Sequence, residues 1–302
     1  MNLYYFGQSL NLASLYMLAA LADALIIKSG RFNLGGEGQI YAGGFVCAIT
    51  LNLLKNTPFI IAVSLALLFS FMVSALMSFL SALMQRYKKA DFLFTSFLIS
   101  LAVIPVIDGL IAGPFRSREG NLLATAFINH KFEFFSILQP SSLNLAFIFS
   151  ILLCLLSAYF IYKTRWGQQI CIYGKSRKFA SYIGYDGNKI ENFSAIISGG
   201  LHGLCGAFAV CGTYYTCHLG FYAGMGWNGL CVCLIAGTNP LFIIPSSIAM
   251  GFIKICSDNY AMYSNAGYDI SSLIQALIIF IFAMPYENIF SIFKNLTKRR
   301  CA

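Results

Sequence analysis

The sequence predicts an all-α, polytopic helical membrane protein. Hydrophobic residues make up 58% of the 302 residues and charged residues only 10%, whereas soluble proteins are about a quarter charged. Apolar runs recur along the whole chain, and most approach the ~20 residues that a helix needs to cross the hydrocarbon core. The ~10-residue alternating segments of a transmembrane barrel do not occur.

Nine apolar segments can be distinguished. They are residues 10–27, 40–54, 59–83, 92–112, 145–162, 190–211, 227–237, 241–256 and 270–284. The second, seventh, eighth and ninth are short for a full crossing, so we expect tilted, broken or re-entrant helices there. Irregular backbone at membrane depth is tolerated only where it is buried in protein or lines a cavity. The connections 113–144 and 163–189 are too short to hold a core of their own, so residues 1–302 are expected to form a single transmembrane domain.

The distribution of basic residues predicts the orientation. Lysine and arginine cluster in the turn after the third segment, in the loop 163–189 and in the tail 285–302, and such clusters favour the cytoplasmic side. The loop 113–144 has mixed charge and the connection 257–269 has no basic residue, so both are expected outside, with the N-terminus. The net charge of +9 follows from this bias, and no basic patch with aromatic platforms indicates nucleic-acid binding.

One polar, glycine-rich stretch, Gly30–Gln39, separates the first two apolar segments. Its glycines Gly35, Gly36 and Gly38 each cost a helix about 1 kcal/mol relative to alanine. We therefore expect a broken entry to the second segment, where small residues let another helix pack closely.

The same stretch places Asn33, Glu37 and Gln39 where a membrane protein should avoid them. Polar and ionisable groups at this depth usually face a cavity or the protein interior. We expect Glu37 to hold helices together, beside a basic residue such as Arg31. For Asn33 and Gln39 the residues leave the choice between structure and a substrate path open.

The second half of the chain has its own glycine-rich regions. Gly199, Gly203 and Gly206 are three to four residues apart, so another helix can approach that face closely. His202 lies among them, and a buried histidine with satisfied hydrogen bonds is the expected arrangement. The interrupted segment 224–240 follows, and interrupted segments in both halves point to a transporter substrate site.

The loop 163–189 contains a candidate amphipathic helix over residues 176–183. Ser176 is a suitable N-cap and Gly184 a suitable residue just after the helix. The two sides of this helix carry Phe179, Tyr182 and Ile183 against Arg177 and Lys178. An ordinary basic loop near lipid headgroups and a helix that docks into a groove on a cytosolic partner both fit this pattern.

Signatures of an enzyme or a metal site do not occur. Gly174-Lys175-Ser176 resembles the end of a phosphate-binding loop, but Gln169 stands where that motif needs its first glycine. The three histidines and ten cysteines lack metal-ligand spacing, and we expect the cysteines of the apolar runs to pack between helices. Interhelical hydrogen bonds explain Asp23 and Asp108 as well as a transport role does.

Four motifs, in consistent order, resemble permease subunits of ATP-binding-cassette importers. Residues 30–40 resemble the family's G-x-x-N-[LI]-G-x-E-G-Q-M signature, and residues 174–184 its cytoplasmic coupling segment, with a departure at positions 175 and 176. Residues 199–207 and 224–240 resemble its glycine-rich stretches. The family includes ribose-type, branched-chain amino acid and nucleoside permeases, and the first motif is most similar to the shorter nucleoside permease.

The resemblance implies half of a translocation path in a cytoplasmic (inner) membrane, for nucleosides or alternatively for ribose- or galactose-type sugars. The implied partners are a second, non-identical permease, a cytoplasmic ATPase that uses ATP and Mg, an extracytoplasmic substrate-binding lipoprotein and membrane lipids. This chain itself would bind no cofactor and catalyse no reaction. The residues implied in coupling to the ATPase are Lys175, Ser176, Arg177, Phe179, Ala180 and Gly184. Ala180→Arg is accordingly expected to uncouple the ATPase while leaving the fold intact.

Six residues are candidates for the substrate path: Asn33, Glu37, Gln39, Tyr215, Trp227 and Asn228. Aromatic rings could stack on a base, and amide groups could bond hydroxyls. A proton-coupled secondary transporter is the alternative class, with Glu37, Asp108 and His202 as candidate proton carriers. A membrane subunit without a path of its own is the third.

Overall fold

The structure is a computed structural model that describes residues 3–117, 121–139 and 141–263, with the single positions 273, 276 and 277. Ten α-helices account for its regular structure: α1 Leu3–Lys28, α2 Gly36–Leu53, α3 Phe59–Lys88, α4 Phe92–Ala112, α5 Ala146–Lys163, α6 Arg165–Lys175, α7 Arg177–Tyr182, α8 Gly187–Ala209, α9 Met225–Ile235 and α10 Pro240–Tyr263. A π-helical turn, Val210–Tyr214, extends α8, and His130–Phe132 form a short 3₁₀ turn. The all-α prediction is confirmed for the described residues, whose β contacts are isolated bridges.

Six of the described helices are long and apolar enough to cross a membrane: α1, α3, α4, α5, α8 with its π-helical turn, and α10. The short seventh segment is confirmed, because α9 has only 11 residues. The expectation of a short eighth segment is wrong, because α10 continues through the polar residues 257–259 and reaches 24 residues. The ninth segment, 270–284, lies outside the described residues except for three isolated positions, and the tail 285–302 lies outside them entirely.

The fold divides into two units along the chain, Met1–Gly251 and Phe252–Ala302. In the first unit α8 lies at the centre and packs against α1, α2 and α3. In the second unit the described residues are mainly the last turns of α10, where Lys254 Nζ lies 3.0 Å from Asp258 Oδ1.

Close packing around α8 depends on its glycines. A Cβ atom at Gly206 would overlap the carbonyl oxygen of Ile40 in α2, and one at Gly203 would overlap that of Ser70 in α3. The Ser70 hydroxyl in turn donates to the carbonyl of Gly43 at 2.8 Å. Helix backbones therefore meet directly here, as they do when small residues line a helix–helix contact.

The connections within the first unit gather at two ends. At one, which we call the basic end, Gly174 packs against the backbone of the α1–α2 connection, and Arg31 Nη1 donates to Gln85 Oε1 at 3.0 Å. At the opposite end the amide of Thr125 donates to the carbonyl of Cys217 at 2.9 Å. Within the first unit, the described loops that the charge pattern assigns to one side of the membrane thus lie together.

The described cysteines are all free thiols. Most of those in apolar helices are buried, which agrees with a packing role. Cys256 is exposed, so the packing expected of it is not found, because the described residues leave its side of α10 uncovered. Among those residues no group of three or more His, Cys, Asp or Glu side chains could hold a metal ion.

Candidate functional site

The chain enters α9 through irregular, partly buried backbone of the first unit. The rings of Phe221 and Tyr222 lie 5.6 and 5.0 Å from that of Tyr41 in α2. Gly224, with φ of 75°, then turns the chain into α9. Residues 215–224 and the short α9 thus form a broken crossing, in which Phe221 is buried while Gly220 and Ala223 are exposed.

The Glu37 side chain caps the N-terminus of α9. Its Oε1 atom accepts a hydrogen bond from the backbone N–H of Trp227 at 3.1 Å, and the side chain is only 7% exposed. The first N–H groups of a helix lack partners within it, and the helix dipole favours negative charge there. A Cβ atom at Gly226 would lie 2.8 Å from the Glu37 amide nitrogen, so glycine lets α2 and α9 approach.

Arg31 was expected beside Glu37, and that expectation is wrong. Its guanidinium instead donates to Gln85 and to Ser194 Oγ, at 3.0 and 3.1 Å, and lies 4.0 Å from Glu191 Oε2. Burial lowers the pKa of Arg31 to about 10, which still leaves it charged near neutral pH. The helix terminus of α9 supplies to Glu37 the positive field that a basic side chain was expected to supply.

Asn33 and Gln39 belong to a buried hydrogen-bond network. Asn33 Nδ2 donates to Gln39 Oε1 at 2.9 Å and to Ser198 Oγ at 3.0 Å. The amide of Gly35 donates to Asn33 Oδ1 at 3.0 Å, and His202 Nδ1 lies 3.0 Å from Gln39 Oε1. These contacts join the α1–α2 connection and α2 to α8 and engage both side-chain amides inside the fold.

Two serines of α4 bind the backbone of the polar stretch Gly30–Gln39. Ser96 Oγ accepts from the amide of Leu34 at 3.2 Å, and Ser100 Oγ accepts from that of Gly38 at 2.7 Å. Their spacing of four residues in an otherwise apolar helix was a signal for this contact that the sequence reasoning missed. It would have placed α4 against the polar stretch.

A cleft of about 270 Å³ opens where α2, α4 and the start of α9 meet. Its aromatic walls are Phe97, Tyr222 and Trp227, with aliphatic side chains of α4 between them, and Glu37 is its acidic group. The rings of Phe97 and Trp227 lie edge to face with centroids 6.5 Å apart, and Trp227 is 46% exposed. The cleft can therefore receive a flat apolar ring and one hydrogen-bond donor.

The six path candidates are not all at this cleft. Glu37 and Trp227 line it, and Asn33 borders a narrow crevice beside them. Asn228 points to α1 instead, where its Nδ2 donates to the Tyr16 hydroxyl at 3.1 Å. Tyr215 lies toward the opposite end, where its carbonyl accepts from Ile128 at 2.9 Å.

Three other acidic or basic groups of the apolar helices have partners within the fold. The Tyr41 hydroxyl donates to Asp108 Oδ1 at 2.5 Å, which is the interhelical bond considered for that aspartate. His202, already bonded to Gln39, has its Nε2 atom 3.7 Å from Asp23 Oδ1. Each contact joins two helices.

A second candidate surface is α7 with its flanks, residues 175–179 and 181–184, all of which are exposed. The expected helix is confirmed: Ser176 Oγ accepts from the amide of Phe179 at 3.3 Å, and Gly184 has a φ of 85°. Phe179 and Tyr182 are 54% and 89% exposed, so α7 presents apolar side chains outward between basic ones.

Ala180 points the other way. It is fully buried and packs in a cluster with Ile170, Tyr173 and Ile190. An arginine there would have to displace this cluster, so the structure gives reason to expect that Ala180→Arg disturbs the fold as well as coupling to the ATPase. Ala180 positions α7, and the exposed side chains around it are the ones that a partner could touch.

Comparison with known families decides the class. The family described as "Branched-chain amino acid transport system / permease component" matches residues 5–283. The chain belongs to this permease family. The resemblance drawn from the motifs is thereby confirmed, and the chain is a membrane permease subunit.

Three curated relatives of the chain are named as permeases. A probable riboflavin import permease of Treponema pallidum is 30% identical over 275 residues, which cover 91% of this chain and 73% of the relative. A guanosine ABC transporter permease of Bacillus subtilis is 25% identical, with 94% and 82% covered. A nucleoside ABC transporter permease of Lactococcus lactis is 22% identical, with 93% and 79% covered. No solved structure matches the chain.

Proposed function

We propose that this permease imports solutes in which a planar heterocycle carries a hydroxylated carbon chain or sugar, nucleosides first among them. The observation that carries this proposal is the cleft in which Phe97, Tyr222 and Trp227 surround one carboxylate, that of Glu37. Aromatic rings stack favourably on other flat aromatic rings, which a nucleoside base carries and a free sugar does not. Riboflavin and guanosine, named for two relatives, share this chemistry.

The cleft forms one wall of the translocation path in this proposal. It opens at the side of the described bundle, and a second permease subunit would close it. Substrate would reach it from an extracytoplasmic binding protein. Alternating access then requires the broken crossing at α9 to move against α2 and α4, with the bond between Glu37 and Trp227 linking the two.

Energy comes from a separate cytoplasmic ATPase that uses ATP and Mg and docks on α7. The exposed Phe179 and Tyr182 beside Arg177 and Lys178 support this assignment, because an apolar helix face with a basic rim suits a groove on a partner. The basic end then faces the cytoplasm of a plasma or inner membrane, in agreement with the positive-inside rule.

Reconstitution of the complete importer tests the proposal. The chain is purified with its ATPase and second permease, inserted into liposomes with the binding protein, and assayed for uptake of labelled guanosine, riboflavin and ribose. We expect ATP-dependent uptake of guanosine or riboflavin. Uptake of ribose alone would favour a simple-sugar permease, and ATP-independent uptake by this chain alone, driven by a proton gradient, would favour a secondary transporter.

A matched pair of variants tests the cleft. Phe97→Ala removes a cleft wall, and Phe94→Ala removes an equal ring that is 63% exposed on the same helix and is not part of the cleft lining. We expect about fivefold slower uptake for the first variant only, since stacking on an aromatic side chain contributes ~1 kcal/mol. Equal uptake by both variants would place the path elsewhere.

A further inference from the structure

The second carboxylate oxygen of Glu37 has no hydrogen-bond donor among the described residues. Oε1 is held by the Trp227 amide at 3.1 Å, whereas Oε2 is buried and unpartnered. Leaving such a group unsatisfied destabilises the fold, and more so when the group is charged. A fold that keeps this arrangement leaves an acceptor available to a ligand.

The Glu37 side chain borders the cleft. Glu37 lines both the cleft and the narrow crevice next to it, in each case together with Trp227. A flat ring packed against Phe97 and Trp227 would present its edge to this carboxylate. The cleft volume of about 270 Å³ lies just below the ~300–1,000 Å³ of pockets for whole ligands, so it suits the heterocycle, with the polyol extending beyond.

Other polar groups near the cleft are already engaged. Ser100 Oγ accepts from the Gly38 amide at 2.7 Å, and Asp108 accepts from the Tyr41 hydroxyl at 2.5 Å. Asn33 and Gln39 bond each other and α8. Glu37 Oε2 is a buried acceptor of a cleft-lining side chain that has no partner within the described part of the chain.

We propose, resting on the function above, that Glu37 Oε2 accepts the ring N–H of the heterocycle and so determines which solutes pass. Guanine and hypoxanthine carry a ring N–H beside a carbonyl, and the flavin ring carries one between two carbonyls. Hydrogen bonds to an ionised acceptor are about twice as strong as neutral ones. A buried site built for a donor discriminates strongly against analogues that lack it.

Methylated analogues test this without changing ring shape. In the reconstituted importer, uptake of inosine is compared with that of 1-methylinosine, and uptake of riboflavin with that of 3-methylriboflavin. Each methylated compound keeps its sugar or polyol and loses the ring N–H. We expect the unmodified member of each transported pair to enter at least tenfold faster. Equal rates within both pairs would overturn the inference.

Variants separate the role of Glu37 from selection by the binding protein, which stays the same throughout. Glu37→Gln keeps one oxygen for the Trp227 amide but places an NH₂ donor at the other position. We expect it to reduce inosine uptake at least tenfold more than 1-methylinosine uptake. Leu101→Ala, which enlarges the same cleft without changing a polar group, should alter both in equal proportion.

The experiments distinguish a failure of the proposed function from a failure of the role proposed for Glu37. If wild-type importer transports guanosine, inosine or riboflavin but Glu37→Gln keeps the wild-type ratio, the function stands and the role of Glu37 is refuted. If Glu37→Gln does not fold, the wild-type importer still tests the inference through the uptake rate of each unmodified solute relative to that of its methylated analogue. If wild type transports none of these solutes, the proposed function fails and the inference fails with it.

Discussion

The imidazole Nε2 of His202 lies 3.7 Å from Oδ1 of Asp23, and neither side chain is more than 1% exposed. No described residue donates a hydrogen bond to either oxygen of this aspartate. The opposite edge of the ring contacts Gln39 at 3.0 Å. One histidine therefore connects α1, α2 and α8 at the centre of the bundle.

Replacing only one member of the Asp23–His202 pair should destabilise the protein more than replacing both. His202→Leu leaves the Asp23 carboxyl group buried without this partner, and an unsatisfied buried polar group costs about 1–3 kcal/mol. The double variant Asp23→Leu/His202→Leu removes both polar groups and should unfold at a higher temperature than His202→Leu. Thermal unfolding in detergent measures this, and equal or lower stability of the double variant would contradict a direct interaction.

Gly206 should tolerate no side chain. A Cβ atom there meets the carbonyl of Ile40, so Gly206→Ala must push α8 away from α2 at a cost of about 1–3 kcal/mol. Gly109→Ala is the control, because nothing lies within 4 Å of its added Cβ and alanine favours a helix by about 1 kcal/mol. We expect a lower melting temperature for the first variant only; similar values would mean that α8 and α2 are not in backbone contact.

The exposed face of α7 should matter for transport and not for folding. Phe179→Ala and Tyr182→Ala remove side chains that point outward, so we expect unchanged melting temperatures with reduced ATPase co-purification and at least tenfold slower uptake. Tyr159→Ala, at a ring on α5 that is 65% exposed, is the control for lost surface area. Normal co-purification of both α7 variants would remove α7 as the docking site.

Ala180→Arg should behave differently from those two changes. The side chain packs against Ile170 and Tyr173, and overpacking a filled core site costs about 1–3 kcal/mol. We therefore expect both a lower melting temperature and lost coupling. An unchanged melting temperature would show that α7 is not packed as the structure has it.

Arg31 should not be replaceable by lysine. Its guanidinium reaches Gln85, Ser194 and the backbone carbonyl of Glu191 together, and a single ammonium group cannot match that planar fork. Leaving buried acceptors unpaired costs about 1–3 kcal/mol, so Arg31→Lys should lower the melting temperature by several degrees. Arg86→Lys, at an exposed site of the same end, should not; equal shifts would argue against the buried contacts.

Local features could be predicted from the sequence because they depend on neighbouring residues. Composition and run length sufficed for the membrane-helix class. Ser176 caps α7 through an amide three residues away, so its spacing was informative. The eighth segment was predicted too short for the same reason: polar residues end an apolar run, yet they do not end a helix whose backbone bonds continue.

Partners distant in the chain could not be predicted in this way. Glu37 was recognised as a costly polar group, but a basic side chain was expected beside it, and the structure supplies the N-terminus of α9 instead. Phe97 and Tyr222 were not recognised, since nothing in their local pattern shows that α4 and the α9 entry share a cleft.

The sequence by itself determined the class of the protein and most of the segments that form helices. It also determined the glycines at which helix backbones meet and the polar stretch on which the site is built. Each follows from composition or from spacing along one element. Tertiary structure alone decided which carboxylate oxygen is held and which is free, that Ala180 is buried while Phe179 is exposed, and that Asn228 turns away from the cleft. These depend on the direction in which each helix face points after packing, and that direction is set by contacts between residues far apart in the chain.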